Sequence, residues 1–293
     1  MKQDDAASEP LTLLAADGYR LSACLYRARG EPVGNLVMAG ATGVSQRFYR
    51  RFAEFASGQG YHVLTLDYRG VGGSKPASLR GFDMSFLDWG RLDLAAAVDF
   101  MDTGDLPLYW VGHSYGGHAL GLLPNHDRIT AAYCFATGAG WAGWMPALEA
   151  AKVRLLWNVV LPPIVAWKGC MAWSLLGMGE DLPLGIYRDW RRWCAHPHYF
   201  FDDPDMSAVT RRYADVRVPC VFANARDDWW ALPRSRDAFI RGYRNMPLRT
   251  RDIEPGAGGI GHMGYFRPEA SPLWADVTDF LRAHHVLAGG LHA

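Results

Sequence analysis

Gly112-His113-Ser114-Tyr115-Gly116-Gly117 sets a hydroxyl between glycines two residues before and two residues after it. This G-x-S-x-G spacing suits a serine on a sharp turn from a strand into a helix. Side chains at the flanking positions would crowd the neighbouring backbone, so glycine lets the turn close and push Oγ outward. The turn also aims the Tyr115 N–H, at the start of the helix, toward a developing oxyanion. The chemistry implied is nucleophilic attack by Ser114, which needs a base to take its proton and a carboxylate to orient that base.

Where such a serine sits on an α/β sheet, the partners follow in the order carboxylate, then histidine. The apolar run 218–224 reads as a buried strand that ends in Arg226-Asp227-Asp228, so either aspartate lies on the rim that carries Ser114. Gly256-Ala257-Gly258-Gly259-Ile260-Gly261-His262 follows the last strand, and its glycines let the loop bend His262 back toward the serine. His113 and His118 neighbour the serine too closely for an in-line base, and His284, His285 and His292 lie in the tail. Gly40-Ala41-Thr42-Gly43 follows the first parallel strand, where a second oxyanion donor is expected: the Ala41 N–H, with Thr42 as the alternative.

Two lookalikes fail on context. Gly256, Gly258 and Gly261 spell G-x-G-x-x-G, but Pro268 follows and no βαβ unit remains. Residues 68–74 are glycine-rich yet lack the Gly-Lys-Ser/Thr of a phosphate loop.

The elements that must hold these residues are legible as alternation. Runs 11–16 and 19–27 flank Asp17-Gly18, a hairpin signal, and short apolar runs at 36–39, 62–66, 108–111 and 129–136 alternate with helix-length segments. This predicts a mostly parallel α/β sheet with helices on both faces and an antiparallel N-terminal hairpin at one edge. The rhythm stops at Thr137 and returns with 218–224, a helix at 233–245, a strand at 248–253 and a helix at 271–284. Residues 138–212 hold seven of the twelve tryptophans, which predicts a helical cap inserted into a core of 1–137 and 213–293. From 136 to 179 the only charges are Glu149, Lys152, Arg154 and Lys168, so a dry pocket is expected, with Trp229, Trp230 and Trp141 as wall candidates.

The 293 residues carry 30 basic and 30 acidic side chains, so no nucleic-acid footprint is expected. An apolar content of 49% also argues against disorder. Cys24, Cys134, Cys170, Cys194 and Cys220 are scattered and odd in number, which predicts neither disulfides nor a zinc site. The polar N-terminus does not resemble a secretory signal, and the apolar region 155–178 is cut by Asn158, Pro162-Pro163 and Lys168. A cytoplasmic chain without stable membrane insertion, with homodimerisation through an apolar face as an option, is the expectation.

The elbow at 112–117, Asp67-Tyr68-Arg69-Gly70-Val71-Gly72-Gly73-Ser74, the Asp227-Asp228 turn and Gly261-His262-Met263-Gly264 together resemble the α/β-hydrolase superfamily. The likeness runs over about residues 11 to 285 and is nearest the branch of serine aminopeptidases and monoacylglycerol lipase-like hydrolases. Family strands before the acid usually read Pro, five or six apolar residues, then G-x-x-D, and that register counted from Pro219 implies Asp228 as the acid, with Ala225 where glycine is usual and Asp227 as the alternative. The family's His-Gly of the oxyanion loop is here Ala39-Gly40. The resemblance implies a Ser114–His262–Asp228 triad that cleaves a carboxylic ester of a hydrophobic small molecule without metal or organic cofactor. A thioesterase, an acyltransferase, an aminopeptidase or a non-catalytic binding protein are the alternatives. The aspartate nucleophile of the family's dehalogenases and epoxide hydrolases is replaced by Ser114.

Overall fold

The computed structural model describes residues 8–177 and 179–289. Eight strands form one sheet: β1 (Ser8–Leu14), β2 (Arg20–Tyr26), β3 (Gly34–Ala39), β4 (Tyr61–Leu66), β5 (Leu108–His113), β6 (Ile129–Phe135), β7 (Cys220–Ala225) and β8 (Leu248–Ile253). Their order across the sheet is β1-β2-β4-β3-β5-β6-β7-β8. The β1/β2 and β2/β4 pairs are antiparallel, and every later pair is parallel. The hairpin forms where Asp17-Gly18 predicts it, with Leu14 opposite Arg20. Strands β3 and β5 are buried along their whole length, as continuous apolar runs covered on both faces should be.

One face of the sheet packs against α1 (Arg50–Gly58) and α9 (Ser271–Gly289) through Phe52, Trp274, Val277 and Leu281. The other carries α2 (Leu94–Met101), α3 (Tyr115–Ala119) and α8 (Pro233–Ile240), with Val98, Trp110 and Phe239 in its core. Regular helix in α3 is short and ends at Ala119. Helix α8 likewise ends at Ile240 rather than 245.

Between β6 and β7 lie α4 (Ala147–Leu155), α5 (Leu161–Lys168), α6 (Leu184–Trp193) and α7 (Ser207–Tyr213), with a Met171–Leu182 bridge as the only extended pairing among the described residues of this segment. This segment is registered on the sheet by stacked rings: Trp193 lies on Phe86 at 5.8 Å, and Phe86 lies on Tyr115 at 4.5 Å. Offset stacking adds about 0.5–1.5 kcal/mol per pair beyond area burial, and the column ends on the residue after Ser114.

The Asp67–Ser74 motif is a structural knot. Buried Asp67 accepts from the Gln46 and Gly73 amides at 2.7 and 3.0 Å. Arg69 pairs with Asp93 at 2.7 Å and Asp17 at 2.6 Å. All five cysteines are free. Among the described residues, no helix is long and apolar enough to cross a membrane, and no three or more His, Cys, Asp or Glu side chains gather as a metal site would require.

Candidate active site

Strand β5 runs straight into Ser114, whose backbone sits at φ 52° and ψ −106°. That conformation is costly for a residue with a Cβ and persists only where its surroundings dictate it. The surroundings are tight. A Cβ on Gly112 would stand 2.8 Å from the Gly116 carbonyl carbon, and one on Gly116 would stand 2.2 Å from the Ala39 carbonyl oxygen. The Ser114 N–H donates to Phe135 O at 2.8 Å, which hangs the turn on β6.

Ser114 Oγ lies 3.0 Å from His262 Nε2. On the far side of that ring, Nδ1 lies 3.0 Å from both carboxylate oxygens of Asp228. Asp228 is buried, and its other partners are the Trp230 and Ala231 amides, each at 3.1 Å, and the Tyr265 hydroxyl at 3.2 Å. A buried carboxylate with this many donors is fully satisfied and fixed in place. Of the two aspartates, Asp228 is the one that meets the His262 ring. Asp227 accepts from the Ile260 amide at 2.7 Å, so it staples the loop that carries His262 and does not meet the ring.

The two histidines beside the serine are buried structural groups. His113 bonds to Tyr49 and to the His262 carbonyl, and His118 bonds to the Gly138 carbonyl. Burial lowers both, His113 to about 3 and His118 to about 4, so both rings are neutral.

The amides around Ser114 correct one expectation. The Ala41 N–H donates to the Tyr49 hydroxyl at 2.7 Å, so it is engaged away from the serine. Within the same loop Thr42 N–H has no hydrogen-bond partner among the described residues, and neither has Tyr115 N–H. Both Ala41 and Thr42 border the cavity over the serine.

That cavity encloses about 410 Å³, and Ser114 and His262 form its floor. Val44, Trp173, Trp190, Trp230 and Met263 give it apolar walls, with Glu180 at its edge. Of the three tryptophans expected there, Trp230 is present. Trp229 is 50% exposed and points elsewhere, because its neighbours Trp230 and Ala231 are drawn in by Asp228. Trp141 borders a separate cavity of about 610 Å³ with Trp157 and Arg188. Trp173, Trp190, Tyr49 and Tyr265 join the site without being marked by the sequence patterns above. Tyr265 had a usable signal, three residues after His262, whereas no local pattern marks Tyr49 or the wall tryptophans.

The chain belongs to the alpha/beta hydrolase family, whose model matches residues 36–271. Epoxide hydrolase A of Mycobacterium tuberculosis is 28% identical over 145 residues, 48% of this chain and 43% of that protein, so the match spans under half the length of this relative. A soluble variant of monoglyceride lipase from Saccharomyces cerevisiae superposes with a TM-score of 0.71 at 14% identity, covering 97% of each chain. The alpha/beta hydrolase GrgF from a Penicillium species gives 0.65 at 16% identity, covering 96% of this chain and 99% of that one. An esterase from Pyrococcus furiosus gives 0.62 at 15% identity, covering 95% and 91%. These likenesses establish the fold.

Proposed function

We propose that the chain is a serine hydrolase that cleaves a carboxylic ester of a hydrophobic small molecule through an acyl-enzyme. The observation that carries this reading is the unbroken line Ser114 Oγ, His262, Asp228, with each link at 3.0 Å. His262 Nε2 takes the hydroxyl proton as Oγ attacks the carbonyl carbon, and Asp228 stabilises the imidazolium formed. The Tyr115 and Thr42 amides donate to the oxyanion, each such donor being worth about 3–4 kcal/mol. His262 then protonates the leaving alcohol. Water, deprotonated by the same ring, hydrolyses the acyl-serine and restores the enzyme.

Epoxide opening, the activity named for the mycobacterial relative, fits this site poorly. Attack of a serine on an epoxide carbon gives an ether, which water does not cleave under base catalysis. Attack on an acyl carbon gives an ester, which it does. An aminopeptidase would need a free carboxylate for the substrate amine, and Glu180 already pairs with Lys75 Nζ at 2.7 Å. In this reading residues 138–212 act as a cap, with Trp173 and Trp190 as walls for the acyl or alcohol group. The test is hydrolysis of p-nitrophenyl esters of increasing chain length. The wild type should turn them over, and Ser114→Ala should fall by at least about 10³-fold. Equal rates for the two proteins would remove Ser114 from the chemistry.

A further inference from the structure

His113 and Tyr49 are buried, polar and unused by the proposed reaction, yet they touch two of its parts. His113 Nε2 lies 2.8 Å from the His262 carbonyl oxygen, and its Nδ1 lies 2.9 Å from the Tyr49 hydroxyl. The same hydroxyl accepts from the Ala41 N–H at 2.7 Å. Hydrogen-bond polarity fixes every proton in this chain. A carbonyl oxygen only accepts, so His113 Nε2 carries hydrogen. The ring is neutral, because burial lowers it to about 3, so Nδ1 is a bare acceptor. The Tyr49 O–H must therefore donate to Nδ1, which leaves its lone pair facing the Ala41 N–H. Burial pushes the Tyr49 hydroxyl up, so it keeps its proton.

We infer that Tyr49 and His113 are positioning residues: the one-way chain Ala41 N–H to Tyr49 Oη–H to His113 Nδ1, continued by His113 Nε2–H to His262 O, locks the oxyanion loop and the histidine loop to the strand that leads into Ser114. The two loops leave different strands, β3 and β8, and no backbone ladder joins them. His113 is the last residue of β5, so both loops take their register from the nucleophile's own strand. Drawing the Ala41 N–H inward also leaves the next amide, Thr42, as the free donor at the cavity. Phe266 at 5.1 Å and Phe48 at 6.4 Å from the His113 ring keep the chain dry, so water does not substitute for a missing member.

This inference rests on the serine-hydrolase reading, and the two can fail separately. Ester hydrolysis is measured per active site, titrated with a fluorophosphonate, in the full chain and in Tyr49→Phe, His113→Ala and the double variant. A loop displaced by a fraction of an ångström should lower kcat about tenfold in Tyr49→Phe and up to about 100-fold in His113→Ala, with KM within about twofold. The double variant should be no slower than His113→Ala, because both substitutions cut the same chain. His113→Gln, which keeps an N–H at the same bond distance as Nε2, should recover part of the loss. Single variants with kcat per titrated site within about twofold of wild type, or losses that multiply in the double variant, would overturn the inference. Should a variant fail to fold, ¹⁵N-histidine NMR of the wild type decides independently. The expected His113 is neutral with hydrogen on Nε2 throughout pH 5 to 9, and hydrogen on Nδ1 in that range refutes the chain.

Discussion

Asp228 at the rim of the sheet accepts from four donors on three sides, all within 3.2 Å. Trp190, over the pocket, meets Trp157, Trp173 and Trp230 as ring contacts at 5.3 to 6.3 Å. Hydrogen bonds are short and directional and fix atoms to fractions of an ångström. Ring packing is broad and tolerates shifts that keep the area buried. Five of the eight exposed large hydrophobics among the described residues, Leu148, Leu155, Val159, Trp167 and Leu175, also belong to the segment between β6 and β7. The rim is thus built for one geometry, and the segment above it for shape. Under the proposed function, chemistry resides in the first and substrate choice in the second.

Substitutions can separate the two regions. Asp228→Asn keeps the volume but loses the charge and allows the wrong tautomer of His262, so kcat should fall by about 10⁴-fold. Asp227→Asn should fall far less, since it holds only a loop amide; similar losses in steady-state kinetics for the two would erase the distinction. Gly116→Ala forces its methyl against the Ala39 carbonyl, and a cost of about 3 kcal/mol should show as a lower urea midpoint. Trp190→Ala should raise KM for long-chain esters about tenfold and leave kcat for short ones nearly unchanged. A kcat loss on every ester would mean that the helical segment also positions the chemistry.

The smallest effect concerns pH. His118 is held neutral by burial and titrates at about 4 in the folded chain, whereas in the unfolded chain it titrates near 6.5. Below that value the unfolded state gains the proton and the folded state does not, so stability falls with acid. Above it neither is charged and nothing is lost. Between pH 7 and 5.5 this histidine should cost roughly 1 kcal/mol, and by urea midpoints His118→Leu should lose about that much less than wild type over the range, the loss that remains coming from groups such as His113.

What the sequence disclosed follows the same division. The elbow, the acid turn and the histidine loop are short and bounded by glycine, so local patterns located Ser114, His262 and the 227–228 pair. The resemblance then favoured Asp228. The strands were legible because burial on both faces demands continuous apolar runs. Ala41 was misjudged because its partner Tyr49 is eight residues away and carries no motif. Trp141 and Trp229 were misjudged because tryptophan composition reports an aromatic segment but not which cavity a ring enters. Trp173 and Trp190 reach the pocket only through the tertiary path of α6 and the Met171–Leu182 bridge.

The proposed function requires Ser114 to be an activated nucleophile. Treating the protein with a fluorophosphonate and mapping the labelled peptide by mass spectrometry tests this directly. One label per chain on Ser114, lost in His262→Ala, is the predicted result. A wild-type chain that stays unlabelled, or carries the label on another residue, would contradict it.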